Sequence, residues 1–196
     1  VLFRSDYNQD FATGTSSGIL VSDTSGTITK SADLTALGIF AAYDTTTLAN
    51  TTTTPTTIIS TSLVGSKTLA ANFFALGKTI EFKASGTFTL SQTTTTGLTF
   101  RVSIGGTLNI DVTVSHSNLI SSQYFEFICQ VTCSAISGTN STYTYAARAI
   151  GVTNTSGATV VYGTSTKSSS VAINTGATIA LDMLASFGSN VAGNTI

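Results

Sequence analysis

Charged side chains are what this chain has least of. Asp, Glu, Lys and Arg together make up only 9% of its 196 residues, whereas soluble proteins usually contain about a quarter. Solvent-facing helices carry Glu, Lys and Arg on their outer face, so this scarcity argues against a helical protein. The eight basic residues are scattered and the net charge is −1, which leaves no basic stripe to neutralise phosphates. We therefore expect no nucleic-acid binding.

Histidine is nearly absent too. The single one, His116, stands among Ser and Asn residues, with no carboxylate at a spacing that would orient it in a catalytic triad. We interpret it as an exposed loop residue. Neither a Cys/His metal-ligand spacing nor a phosphate-binding loop occurs. The sequence therefore predicts no catalytic residue, no metal site and no cofactor.

The chain has only two cysteines, Cys129 and Cys133, and both fall in one predicted strand. Four residues along a strand span about 13 Å, whereas the Cα atoms of a disulfide lie within about 7 Å of each other. We predict that the two cysteines are not bonded to each other and are small buried residues on the same face of the strand. They do not reveal the redox compartment.

Long apolar runs are missing as well. No stretch reaches the roughly 18 residues that a membrane-spanning helix needs, and no signal-peptide pattern opens the chain. We therefore expect no membrane insertion. Residues 1–5 begin without a methionine, and we interpret them as the edge of a fragment.

What the chain has in abundance is threonine, which packs well on pleated sheets together with Val and Ile. From residue 57 onwards, apolar and polar residues alternate with a period of two, the pattern of half-buried strands. In the first row, Ile80, Phe82 and Ala84 share one face. Similar rows lie at residues 98–104, 108–114, 125–133, 143–150 and 179–183, and two shorter apolar segments, 160–162 and 171–173, lie on either side of a Ser/Thr-rich stretch. The Gly105-Gly106 pair between two of these rows is typical of a two-residue hairpin turn.

These rows amount to about eight strands, separated by turn residues at regular intervals. Such spacing predicts an all-β fold, an antiparallel jelly-roll-like β-sandwich of about eight strands. No helices alternate with the strands, which excludes a parallel α/β sheet. The phase of the alternation also predicts one core between two sheets. The predicted members of that core are Phe82, Phe100, Val102, Phe125, Phe127 and Val131.

The N-terminal quarter of the chain has a different character. Residues 1–50 are polar, irregular and punctuated by glycine, apart from one apolar segment, residues 34–43, whose pattern fits either a short helix or a strand. A Thr-rich linker follows, in which Pro55, the only proline, favours an extended backbone. We therefore divide the chain into an N-terminal extension or attachment segment with its linker, residues 1–56, and a β-sandwich domain, residues 57–196.

Four carboxylates, Glu81, Asp111, Glu126 and Asp182, stand at outward positions of separate predicted strands. A glycosidase needs two carboxylates that face each other in a cleft, and nothing in this spacing indicates such a pair. We interpret all four as parts of solvated faces. The sequence thus favours a non-enzymatic protein that packs and binds.

Three segments, residues 76–87, 98–107 and 125–133, form a familiar succession of strands and turns. In this pattern, residues 57–196 resemble the tail-fibre, head-fibre and capsid-decoration proteins of tailed phages and environmental viruses. The resemblance implies a jelly-roll-like domain on a virion, self-association into a trimer or larger array, and other virion proteins or host-surface glycans as partners. It offers no functional residues to carry over. The pattern usually has one more strand after a segment such as residues 192–196, which leaves two interpretations: the sequence is incomplete at its C-terminus, or the domain has no closing strand and leaves an edge that pairs readily with another chain.

Three hypotheses of function stay open at this point. The first is a viral structural protein, a fibre, spike or capsid-decoration module of the virion surface that acts through assembly and host-surface binding. The second is a cellular surface adhesin or filament subunit, which would be extracellular and has the same composition. The third is a carbohydrate-binding or glycan-acting β-sandwich. Fold alone does not separate them, although the missing carboxylate pair disfavours the third.

Overall fold

The computed structural model describes residues 19–22, 28–31, 53–59, 67–91, 96–116, 120–137, 140–152, 160–189, 191 and 193–196. All regular secondary structure in these ranges is β-strand, and all strand pairs are antiparallel. This confirms the predicted fold class. In chain order the strands are Ile19–Ser22 (β1), Ile28–Ser31 (β2), Thr56–Thr57 (β3), Thr68–Leu69 (β4), Thr79–Leu90 (β5), Thr96–Ile104 (β6), Leu108–His116 (β7), Ile120–Ser137 (β8), Asn140–Val152 (β9), Val160–Val171 (β10) and Ile179–Phe187 (β11).

Two sheets pack face to face as a sandwich. The first sheet has four strands in the order β10-β9-β8-β5. The second has five, with β3, β11, β6 and β7 in that order and β4 also paired to β11. The chain crosses from one sheet to the other four times, between β4 and β5, between β5 and β6, between β7 and β8 and between β10 and β11. The short hairpin of β1 and β2 forms a separate two-stranded sheet.

The core between the sheets is built from the inward rows of both. The ring centroid of Phe100 on β6 lies 4.7 Å from that of Phe125 and 5.5 Å from that of Phe127, both on β8. Five of the six predicted core residues are buried, namely Phe100, Val102, Phe125, Phe127 and Val131. The sixth, Phe82, packs against the same core but is only partly buried, because β5 is the outer strand of its sheet.

Two glycines make room for the aromatic rings of this core. Gly86 on β5 and Gly151 on β9 pair with Phe125 from opposite sides. A Cβ atom on Gly86 would lie 2.9 Å from Cε1 of Phe125, and one on Gly151 would lie 3.1 Å from Cζ of Phe88. Real Cβ atoms essentially never come as close as the first of these distances, and the second would require the ring of Phe88 to shift by a few tenths of an ångström. The missing side chains therefore let both rings pack against the first sheet.

The predicted hairpin joins β6 to β7. Gly105 and Gly106 have φ angles of 62° and 70°, the left-handed conformation that a type I′ turn requires at both central positions and that suits glycine. The amide of Thr107 donates to the carbonyl of Ile104 (3.3 Å) and closes the turn. Strand pairing starts with Ile104 opposite Leu108, so Thr107 is an extra residue beyond the predicted two-residue turn.

Short strands cover one edge of β11. Thr56 and Thr57 of β3 pair with Ala185 and Leu184, and β4 pairs further along β11. Very short edge strands are one way in which proteins protect a sheet edge from other chains. Thr56 thus already belongs to the second sheet, one residue before the predicted start of the domain.

Two regions differ from what the sequence indicates. Apolar residues at 160–162 and 171–173 indicate two separate strands around a Ser/Thr-rich stretch, whereas β10 is one continuous strand paired with β9 along its whole length. Backbone pairing does not require apolar side chains, so the stretch continues the ladder. The β1–β2 hairpin lies where the sequence predicts irregular structure. The apolar segment 34–43 lies outside the described residues, and so do residues 154–157, where Asn154 and Gly157 predict a turn.

Replacing Phe127 with alanine tests the register of the sandwich. Its side chain is fully buried and packs on Phe100 of the other sheet, so its removal leaves a cavity. We expect Phe127→Ala to lower the free energy of unfolding by about 3–5 kcal/mol in chemical denaturation. Thr144→Ala, at an exposed position of β9, should change it by less than about 0.5 kcal/mol. Equal effects of the two substitutions would show that the inward row is assigned to the wrong face.

The close approach at Gly86 gives a second test. Phe125 is held between Phe88 and Phe100 and has little room to move away from a new methyl group. We expect Gly86→Ala to lower the free energy of unfolding by about 1–3 kcal/mol, the usual cost of overpacking. Ser85→Ala, the neighbouring exposed position on β5, is the matched control and should be nearly neutral. An unchanged melting temperature for Gly86→Ala would contradict the packing described above.

Candidate functional site

The four carboxylates singled out in the sequence lie on the outer faces of the sheets. On the first sheet, Glu81 of β5 accepts a hydrogen bond from Nε2 of Gln130 (2.8 Å) and pairs with Nζ of Lys83 (2.9 Å). The contact with Lys83, followed by that with Gln130, holds the pKa of Glu81 below its usual value. Gln130 is opposite Glu81 on β8 and Lys83 is two residues along β5. The carboxylate is therefore held by contacts across and along the sheet.

Arg101 and Asp111 form the corresponding pair on the second sheet. They are directly opposite each other on β6 and β7. Nε and Nη2 of Arg101 donate to the two carboxylate oxygens of Asp111 at 2.6 and 2.7 Å, and this contact raises the pKa of Arg101. Fork-shaped contacts of this kind are directional, but both side chains are partly exposed. Their main effect is to hold the register of the two strands rather than to add much stability.

Asp182 joins an edge strand to the second sheet. Its Oδ1 accepts hydrogen bonds from Oγ1 of Thr57 (2.6 Å) and from the amide of Met183 (2.9 Å). Thr57 belongs to β3, so the carboxylate fastens β3 to β11. The fourth carboxylate, Glu126, is half-buried on β8 and stands opposite Ser85 of β5.

These carboxylates do not face one another. The outer faces of the two sheets point in opposite directions, which separates Glu81 and Glu126 from Asp111 and Asp182. On the first sheet, Glu126 pairs with a residue four positions along β5 from Glu81, about 13 Å away. On the second sheet, β6 lies between Asp111 and Asp182 and their partners are two residues apart along it, which gives about 12 Å. These are spacings between backbone positions, and the carboxylates of Glu81, Asp111 and Asp182 are each bound to neighbouring residues of their own sheet. They are therefore not held facing one another across a cleft, as the two carboxyl groups of a glycosidase are.

Cys129 and Cys133 lie on the inner face of β8 with free thiols, as the strand geometry predicts. Burial raises the pKa of Cys129 to about 12 and also raises the pKa of Cys133. A thiol with a raised pKa stays protonated at neutral pH and is a poor nucleophile. His116 is the last residue of β7, paired with Thr96, and so belongs to a strand rather than to the predicted loop. Its side chain lies outside the described part of the chain.

One polar feature of the core is absent from the sequence-based prediction. Ser141 and Tyr143 of β9 are fully buried, and neither hydroxyl has a hydrogen-bond partner among the described residues. Burial raises the pKa of Tyr143. Two protonated hydroxyls without an adjacent base are not activated nucleophiles. The alternation of side chains along β9 could have predicted the burial of Ser141, because Ser141 falls in the same inward-facing row as Ala147.

The edge of β5 that faces away from β8 is a different kind of feature. On that side Thr89 exchanges hydrogen bonds with Thr195, amide to carbonyl in both directions, at 2.9 and 3.0 Å. From Thr79 to Thr87, no strand of the described chain pairs with this edge. On the opposite side of the sandwich, β10 lies beside β7 of the other sheet. β10 and β7 are likewise outer strands, and no further strand of the described chain pairs with either of them.

No three His, Cys, Asp or Glu side chains within the described ranges lie close enough together to hold a metal ion. Among the same residues, no helix has the length and hydropathy needed to cross a membrane. Comparisons with protein-family models, with curated proteins and with solved structures found no match to this chain.

Thiol labelling tests the placement of the two cysteines. We expect Cys129 and Cys133 to resist alkylation in the folded protein at mildly alkaline pH and to react fully after unfolding, because burial keeps both thiols protonated and away from the reagent. Intact mass with and without reductant should show two free thiols. A cysteine introduced at the exposed position Thr144 is the control and should label in the native state. Rapid native labelling of the natural cysteines would contradict the inward row of β8.

Proposed function

We propose that this chain is a structural module of a virion surface, a fibre, spike or capsid-decoration protein that acts through assembly and host-surface binding. One observation carries the structural role. Glu81, Asp111 and Asp182 each hold a neighbouring strand on an outer face of the sandwich, and the four carboxylates do not converge on a cleft. The virion setting rests on the resemblance of residues 57–196 to proteins of tailed phages and environmental viruses.

The surface chemistry supports a protein that works among copies of itself. A net charge of −1 produces little repulsion between copies, so association meets no electrostatic barrier. Leu76, Tyr124 and Ile136 are large apolar side chains exposed on the described surface, at 72%, 53% and 45%. Single exposed apolar residues are common on monomeric proteins. In an array of copies, the neighbouring copies would cover these three side chains. The expected partners are further copies, in a trimer or larger array, with other virion proteins or host-surface glycans.

A cellular surface adhesin or filament subunit is the second candidate. The same sandwich, low charge and high threonine content support it, and it differs from the first in where the chain resides. A carbohydrate-binding or glycan-acting protein is the third candidate. The described carboxylates do not face one another across a cleft, which argues against glycan hydrolysis. Glycan binding remains, and the virion surface module proposed first would also bind glycans.

Immunogold electron microscopy tests the proposal. An antibody raised against the purified chain is applied to particles and cells from the culture that carries the gene. We expect gold at repeated positions on virus particles, such as the tips of fibres or the capsid surface. Antibody preadsorbed with the purified chain is the control and should remove the label. Gold on cell envelopes or cellular filaments, with none on particles, would replace the virion role with the adhesin or filament role.

An activity assay separates the glycan-acting candidate. We expect the purified chain to release no reducing sugar from bacterial surface polysaccharides. If sugar is released, and if Glu81→Gln or Glu126→Gln abolishes the release, the non-enzymatic role is wrong.

A further inference from the structure

The open edge of β5 presents its backbone groups in a fixed alternation. At the start of the strand, the amide of Cys133 on β8 donates to the carbonyl of Lys78 (3.0 Å), while at its end Thr89 bonds away from β8, to Thr195. Even-numbered residues of β5 thus direct their backbone amide and carbonyl groups towards β8, and odd-numbered residues direct theirs outwards. The outward residues without a partner in the described chain are Thr79, Glu81, Lys83, Ser85 and Thr87.

Side-chain contacts agree with this alternation. In an antiparallel ladder, the side chains of the pairs that do not exchange backbone hydrogen bonds are the closer ones. Oγ1 of Thr79 lies 2.7 Å from Oγ1 of Thr132, and Glu81 bonds to Gln130 at 2.8 Å. Both are odd-numbered residues of β5 paired with β8. The edge is therefore ready to accept a further antiparallel strand.

We propose that the strand which pairs with this edge is β5 of a second copy of the chain, antiparallel about a two-fold axis at Phe82. In that register, Glu81 stands opposite Lys83 of the second copy, and Lys83 stands opposite Glu81 of the second copy. Each strand already holds a contact between its own Glu81 and Lys83. Four charges of alternating sign therefore surround the axis, and the two four-stranded sheets become one continuous sheet.

Charge selects this register over its neighbours. The outward groups of two copies meet only where odd-numbered residues stand opposite odd-numbered residues. Moving the axis by one residue places Glu81 opposite Glu81, or Lys83 opposite Lys83, and like charges directly opposite destabilise a strand pair. With the axis at Phe82, four outward pairs form and exchange about eight backbone hydrogen bonds.

The apolar side chains of the edge fit the same arrangement. Ile80, Phe82 and Ala84 point towards the core but are only partly buried. The register places Phe82 opposite Phe82 and Ile80 opposite Ala84, a large residue against a small one, so the added strand covers the rim of the core. It also brings the exposed Leu76 of the second copy to the end of β5 at which Tyr124 is exposed.

This inference deepens the assembly part of the proposed function and rests on that part alone. The overlap covers residues 79–85, so the pairing of Thr89 with Thr195 is retained. Seven residues per copy are fewer than the roughly 20–30 residues a side of a standard stable interface. We therefore expect a dimer of micromolar or weaker affinity, which gains strength when other contacts hold the copies in an array.

Charge reversal in the full chain tests the register, with sedimentation velocity run from micromolar to near-millimolar concentration. Glu81→Lys and Lys83→Glu each place like charges opposite one another, and each should weaken dimerisation by about tenfold or more. An equimolar mixture of the two variants restores opposite charges at both positions, as does the double variant E81K/K83E, so both should dimerise like the original chain. Glu126→Lys makes the same charge change one strand away from the edge and should leave dimerisation unchanged.

Hydrogen exchange on the unaltered chain gives a measurement that needs no substitution. The outward amides of Glu81, Lys83 and Ser85 should become protected as the concentration rises. The amides of Phe82 and Ala84 bond to β8 and should be protected at every concentration.

Each outcome decides a different point. Weakened dimers in the single variants, with recovery in the mixture, support the pairing. If the chain associates and none of these substitutions changes its association, the β5 contact is wrong and the assembly role remains. A chain that stays monomeric to near-millimolar concentration overturns both. If a single variant fails to fold, hydrogen exchange decides, since outward amides that gain no protection with concentration reject the pairing.

Discussion

The contact between the aromatic rings of the two sheets is the interaction on which the rest of the structure depends. Phe100 reaches across from β6 to Phe125 and Phe127 of β8, and this contact fixes which face of each sheet is the inner one. Because side chains alternate with a period of two, a shift of one residue in β8 would turn this row and both cysteines towards water. The positions of Gly86 and Gly151 then follow, since the rings need space against the first sheet.

The inward rows could be predicted from the sequence because they depend on local alternation alone. Phe125 and Phe127 share one face whatever strand lies beside them. Phe82 shows the limit of this prediction. Its phase is right, yet its partial burial depends on β5 being the outer strand of its sheet. The order of strands is set by long-range packing, which periodicity does not report.

The partners of the charged residues were beyond sequence-based prediction for the same reason. The outward positions of Asp111 and Asp182 follow from strand phase, but their bonds to Arg101 and Thr57 depend on which strands are adjacent and in what register. The inward position of Ser141 was within reach of the period-two pattern. Its polarity concealed it, because alternation is normally recognised by apolar residues. The virion setting stays a prediction, since it depends on where the molecule is found and the fold does not define that.

The attachment of β3 to β11 has a mechanical consequence. Tension applied to the chain ahead of Thr56 reaches β11 through two residue pairs, the bond from Thr57 to Asp182 and the next backbone bond, from Ile58 to Met183. β11 itself is held by a longer ladder to β6, so β3 would peel away while the sandwich stays intact. The β3–β11 pairing is thus a weak point between the N-terminal segment and the core. When it separates under tension, the extended chain ahead of the core becomes longer and part of a second strand edge, on β11, is exposed.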